Sequence, residues 1–246
     1  VFDATFWLNT GLQKIKPGFD QDYSSFNPFS FKINYANPTD KILKGSSVNA
    51  SVRYLDGLAA AQLGFRIQNR KRNTSFYSYF KSMYRPDSSD VYYLINRTEW
   101  NPRQWNNTVN VGLDHDYSYK RGNGRINLHM RTTGPGSDYD YSQLSLSVVN
   151  YNRLGKFNFN TRFFAQIGTG TNLAPESALY LAGANPESLM DNKFTRSVGF
   201  FPQDWNGYGA TTNHFQYGGG LNLRGYAGYL APYKRADGTS VLTYKS

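Results

Sequence analysis

The sequence predicts an all-β fold: an antiparallel transmembrane β-barrel carrying one long loop. Three observations carry that expectation. Apolar residues recur with period two, the spacing that puts them on one face of a strand. The turn signals between such runs are too short for a crossover helix, so consecutive strands are expected to pair antiparallel. Aromatic residues make up 17% of the chain and gather near the ends of the runs, as the girdles of a membrane barrel do.

Taken in order, the first run sets Phe2, Ala4, Phe6 and Leu8 against Asp3, Thr5 and Trp7. The second sets Phe29, Phe31, Ile33 and Tyr35 against Ser30, Lys32 and Asn34, and the third sets Val48, Ala50, Val52 and Tyr54 against Asn49, Ser51 and Arg53. Asp56-Gly57 marks a tight turn into a fourth run, where Leu63, Phe65 and Ile67 oppose Gly64, Arg66 and Gln68. Arg70-Lys71-Arg72, the densest basic cluster, reads as a hairpin tip or as residues facing anionic head groups. Less regular strands are expected over Ser75 to Tyr84, Val91 to Thr98 and Tyr139 to Tyr151. Val109, Val111 and Leu113 oppose Asn110, Gly112 and Asp114; Asn123-Gly124 signals a turn; Ile126, Leu128 and Met130 oppose Asn127, His129 and Arg131. After the turn at Leu154-Gly155-Lys156, the last run sets Phe157, Phe159, Phe163, Ala165 and Ile167 against Asn158, Asn160, Arg162 and Gln166. Residues 1–168 thus read as about ten strands with no helix among them.

On this reading the apolar rows, including Phe31, Ile33, Phe65, Ile67, Val111, Leu128, Phe157 and Phe159, face lipid. The polar rows carry Arg53, Arg66, Arg131 and Arg162 among many Asn and Ser, which fits a hydrated lumen where charges pair across the wall. A soluble β-sandwich shows the same alternation, so the arginines of the polar rows and the aromatic strand ends discriminate between the two.

Composition narrows the function classes. Mean hydropathy is −0.62 and no run approaches the roughly 18 apolar residues of a membrane helix, yet neither fact excludes a barrel, whose strands average to mildly polar. The absence of cysteine excludes a disulfide framework and thiolate metal sites. Val1 opens neither a signal peptide nor an initiator methionine, so the chain reads as a mature or internal stretch. A net charge of +10 raises the question of nucleic acid, but no nucleic-acid module accompanies it, and nucleic acid is not expected as a partner. No enzyme is expected, because His115, His129 and His214 lack metalloprotease spacing. Asp114-His115-Asp116 puts its carboxylates on one face of a strand and its imidazole on the other, and reads as lumen-facing acids rather than as a metal or acid–base cluster. Gly168-Thr169-Gly170-Thr171 lacks the lysine and the following helix of a phosphate loop, so neither cofactor nor metal is expected.

Strand alternation stops in the long loop, about residues 169–235, and a further strand is expected to begin at 241–246. The loop contains Pro175-Glu176-Ser177-Ala178-Leu179-Tyr180-Leu181-Ala182-Gly183, then an insertion from Ala184 to Asn213. It continues with Phe215-Gln216-Tyr217-Gly218-Gly219-Gly220 and Leu223-Arg224-Gly225-Tyr226. A proline-led lead-in followed by a glycine triplet and an apolar-Arg-Gly-aromatic tetrad resembles the sixth extracellular loop of the BamA/TamA superfamily of outer-membrane barrels. Two departures stand out: Ala182 occupies the place of a family glycine, and the insertion separates lead-in from tetrad. The family's later strand motif does not follow within the sequence, so further sequence or another chain is expected to complete the barrel.

The resemblance implies a bacterial outer-membrane protein that assists insertion or translocation of client proteins, with outer-membrane lipids around it. It also implies a loop folded back into the barrel, where Arg224 meets an acidic residue of the inner wall. Gly218, Gly219, Gly220 and Gly225 permit the close backbone approach this needs, and Arg224 supplies a planar fork suited to a carboxylate or to carbonyl oxygens. Similar features occur in barrels that follow gluzincin-type aminopeptidase domains. A porin or transporter barrel and a membrane anchor for an upstream peptidase are the alternative functions.

Overall fold

In a computed structural model of the chain, the described residues are 2–7, 30–38, 45–55, 58–84, 103–179, 185–191, 221, 231–234 and 240–243. Nine strands form one sheet in sequence order: β1 (Phe2–Trp7), β2 (Ser30–Pro38), β3 (Ser46–Leu55), β4 (Leu58–Gln68), β5 (Thr74–Tyr84), β6 (Trp105–Tyr119), β7 (Gly122–Thr133), β8 (Asp140–Leu154) and β9 (Phe157–Asn172). All eight pairings are antiparallel. No pairing joins β1 to β9 among the described residues, so the sheet is open. A separate hairpin pairs β10 (Ala231–Lys234) with β11 (Ser240–Thr243). The expected strand over Val91 to Thr98 lies outside the described residues.

Period-two alternation becomes two chemically distinct faces, because the register lines up like with like across the sheet. One row runs through Val48, Phe65, Ser78, Val111, Met130, Leu144 and Ile167; the next runs through Ile67, Phe76, Leu113, Leu128, Leu146 and Ala165. Ile33 pairs with Val52 and Leu154 with Phe157 on the same face. Large apolar side chains on this face are exposed, with Leu63 at 60%, Phe163 at 58% and Ile167 at 70%. The buried apolar side chains lie on the other side: Leu58, Ala60, Met83 and Tyr141 of the strands and Tyr139 just before β8, with Ala174, Ala178 and Met190 of the segment after β9. The packed core is therefore on the face that also carries the arginines. The apolar face has nothing against it among the described residues.

Glycines act within the strands rather than only between them. A Cβ on Gly112 would stand 2.2 Å from Tyr77 Cζ, its cross-strand partner, and one on Gly64 would stand 2.4 Å from Tyr79 Cβ. Gly124 is a third such notch, beneath the ring of Tyr117. This corrects the expected turn at Asn123-Gly124: both residues lie inside β7, and the turn is Lys120-Arg121. Asn-Gly is there because an aromatic ring needs the space. Gly155, at φ +63°, does make the β8–β9 turn.

β9 runs to Asn172, past the expected start of the loop at 169. Beyond it lie a single 3-10 turn, Pro175–Ser177, and a six-residue helix, α1 (Pro186–Asp191), where no helix was expected. Proline opens α1, and the Asn185 Oδ1 caps it by accepting from the Ser188 amide at 2.8 Å.

Candidate functional site

Residues 173–179 and 185–191 dock on the polar face at the end where the longer connections lie. The site starts from strand alternation, which directs Arg53 of β3, Lys81 of β5, Asn106 and Asn110 of β6, Arg131 of β7 and Tyr141 of β8 to one side. Lys81 and Arg131 are buried, and so is Glu187 of α1, whose carboxylate they share. Arg131 is bidentate to Glu187, with Nη1 to Oε2 at 2.7 Å and Nη2 to Oε1 at 2.9 Å. Its Nε donates to Asn110 Oδ1 at 2.7 Å, which uses the whole guanidinium edge. Lys81 donates to Glu187 Oε1, and Ser177 Oγ donates to Oε2 at 3.0 Å. One helical turn on, Asp191 receives Arg53 and stands 3.8 Å from Lys81 Nζ.

The 3-10 turn is held by neutral donors. Asn106 Nδ2 donates to Glu176 Oε1 at 2.7 Å and to Ser177 Oγ at 3.1 Å, while Tyr141 OH donates to Asn106 Oδ1 at 3.0 Å. Asn185 Nδ2 donates to the Ala178 carbonyl at 2.8 Å, tying the turn to the cap of α1. The two buried carboxyls consequently differ in acidity. Burial raises the pKa of Glu187, but Arg131 and Lys81 outweigh that and hold it well below the usual carboxylate range. For Glu176 burial dominates over the Asn106 hydrogen bond and pushes the pKa up to about 7. A charge-clamped helix and a proton-sensitive turn thus sit side by side in one docked segment.

Toward the opposite end the polar face opens into a recess of about 600 Å³ lined by Ser47, Asn49, Gln62, Arg66, Tyr77 and Asp114. Arg66 Nη2 donates to Asp114 Oδ2 at 2.7 Å, and Asn127 Nδ2 donates to Asp114 Oδ1 at 2.6 Å. Tyr77, Tyr79 and His129 stack with centroids 6.1–6.3 Å apart. The expected division of Asp114-His115-Asp116 holds: both acids face the arginines, and His115 bonds Thr74 on the apolar side. Of the four arginines expected to pair across the wall, Arg66 meets a strand acid, Asp114, whereas Arg53 and Arg131 pair instead with Asp191 and Glu187 of α1. Arg162 lies with its guanidinium 6.0 Å from the Phe164 ring centroid.

Gly218, Gly219, Gly220, Leu223, Arg224, Gly225 and Tyr226 lie outside the described residues. The docked pairs that are described have the opposite polarity to the expected one, loop acids on wall cations. Sequence reasoning missed Glu187 and Asp191. Asn185-Pro186-Glu187-Ser188, a cap followed by proline and an acid in the first turn, was the available signal. In comparison with known proteins, the chain matches no protein-family model and no curated protein.

Proposed function

We propose that the chain forms part of the wall of an outer-membrane β-barrel that assists insertion or translocation of proteins, with residues 173–179 and 185–191 as the loop element folded onto the lumen side. The observation that carries this reading is the inverted distribution of side chains: exposed apolar rows on one face, charges and the packed core on the other. Water is a poor solvent for such an apolar face, whereas lipid chains match it. Strand length adds support, since β3 to β9 have 10 to 16 residues and a tilted membrane strand needs roughly 9–11. The assistance role draws on two further features. β9 offers a sixteen-residue edge with no neighbour among the described residues, a template on which an incoming strand can pair. The docked segment supplies an element whose release would open the polar face.

Two measurements test the reading. Because the chain has no cysteine, single cysteines at Phe65, Leu128 and Phe163 can carry a fluorophore in proteoliposomes, and brominated acyl chains should quench all three. Absence of quenching sinks the membrane assignment. Proteoliposomes containing the protein should also accelerate insertion of an unfolded barrel protein added from outside. Ion or solute flux without any such acceleration would favour the porin or transporter reading.

A further inference from the structure

We propose that the short-turn end of the sheet, opposite the docked segment, is a binding surface for anionic phospholipid head groups. The proposal rests on the membrane reading above and adds a ligand to it. Three hairpin turns that lie wholly within the described residues meet at this end, β4–β5, β6–β7 and β8–β9, and they carry Arg70, Lys71, Arg72, Lys120, Arg121 and Lys156, all exposed. Arg153 adds another exposed cation at the close of β8. Asp116 is the exposed acid among the described residues here, and Arg125 already holds it with two hydrogen bonds. At the other end the exposed charges of the described residues are mixed, Arg103 against Asp138, Asp140 and Asp191. Among the described residues the excess of exposed cations therefore belongs to one end of the sheet.

The β4–β5 turn is built rather than loose. Asn69 Oδ1 accepts from the amides of Asn73 and Thr74 at 3.1 and 3.3 Å, and the Asn69 carbonyl accepts from the Arg72 amide at 3.0 Å. Arg72 occupies φ +57°, a conformation that glycine or asparagine takes at less cost. A long cation at a position that favours a small residue points to a use for its charge. The turns also continue the apolar face through an ordered change in chemistry. Leu154 and Phe157 are exposed beside the β8–β9 turn, and Tyr117 and Tyr119 stack at 6.3 Å beside the β6–β7 turn, both with hydroxyls on Asn150. Apolar rows, then amphipathic rings, then cations is the succession of hydrocarbon, interface and phosphate in one leaflet. Arginine and lysine in such a layer select anionic head groups, with arginine able to bind phosphate bidentately.

The test uses the protein in nanodiscs of phosphatidylcholine containing a minor fraction of phosphatidylglycerol, with retained lipids counted by native mass spectrometry after brief detergent release. The retained lipid should be enriched in phosphatidylglycerol by at least about fivefold over the bulk, the factor one cation supplies near an anionic surface, and less so at high salt. Replacing Arg70, Lys71, Arg72, Lys120, Arg121 and Lys156 with glutamine should bring the ratio back toward bulk. Exchanging the arginines for lysines should keep most of the enrichment, and Arg103→Gln should keep all of it. Circular dichroism of each variant reports whether the sheet is intact. Enrichment that survives neutralisation, or no enrichment in the parent, overturns the proposal. So does tight binding of poly-glutamate with no lipid preference, which would assign the surface to an acidic protein. If Phe65→Cys remains quenched by brominated lipid in any of these cases, the membrane reading stands and only the head-group assignment falls.

Discussion

At one end of the polar face Arg131 grips Glu187 with both terminal nitrogens, while Lys81 and Ser177 complete the carboxylate's partners beneath a docked segment. At the other end Arg125 grips Asp116 with Nε at 2.5 Å and Nη2 at 3.0 Å, but those side chains are 64% and 49% exposed. The chemistry of the two pairs is the same, and their setting is not. In the buried cluster, removing one partner strands charge away from water. In the exposed pair, solvent screening and the entropy of two long side chains cancel most of the attraction. Burial, more than hydrogen-bond geometry, therefore decides which end of the face is rigid.

The largest effect should come from Glu187→Ala. It leaves Lys81 and Arg131 uncompensated, and either destabilises the fold by about 3–5 kcal/mol or releases the segment. A Met190→Cys reporter, buried in the parent, measures release through its maleimide labelling rate, which should rise sharply. An unchanged rate together with unchanged stability would break the comparison at its strong end. Arg131→Lys sharpens it by keeping the charge while losing the fork and the bond to Asn110. Denaturant titration should show a loss of about 1.5–3 kcal/mol.

Next in size is a pH effect confined to the docked end. Docked Glu176 keeps its proton up to about 7, whereas once released it ionises near its ordinary 4.5. Docking is therefore favoured at the acid side of that window and weakens as pH rises through it. Glu187 has the opposite sign: its pKa is lowered by docking, so its contribution is present above the ordinary value and lost only in strong acid. Thermal unfolding of Glu176→Gln should match the parent near pH 4.5 and exceed it increasingly toward pH 7. A difference that does not vary across this range would remove Glu176 as the sensor. The smallest effect belongs to the exposed pair, where Asp116→Asn should shift stability by no more than about 0.5 kcal/mol and even less at high salt.

Much of the sheet was legible because a strand's face is a local property. Phe65, Leu128, Phe157 and Phe159 are exposed on the apolar side, and Asp114 meets Arg66 on the polar side, as alternation alone dictates. The candidate site was less legible because its contacts span great distances along the chain. Lys81 and Glu187 are 106 residues apart, and nothing in either neighbourhood names the other. Arg131 was expected to pair across the wall, yet its partner comes from an insertion in which no helix was foreseen. Asn123-Gly124 misled for a different reason: its glycine makes room for a ring, and composition cannot separate that use from a turn.

The notches along β5 have a consequence for how the sheet is assembled. Period-two alternation rejects a one-residue slip, which turns every side chain over, but it is blind to a slip of two. After such a slip an apolar residue still faces the apolar side, so burial alone gives no signal against it. Tyr77 against Gly112 and Tyr79 against Gly64 supply that signal on both flanks of β5. Moved by two, Tyr77 would meet Asn110 or Asp114, and Tyr79 would meet Gln62 or Arg66, each with a side chain where the ring or its stem must lie. These pairs work as detents. They let the strand settle at one alignment among several that burial alone would count as equal.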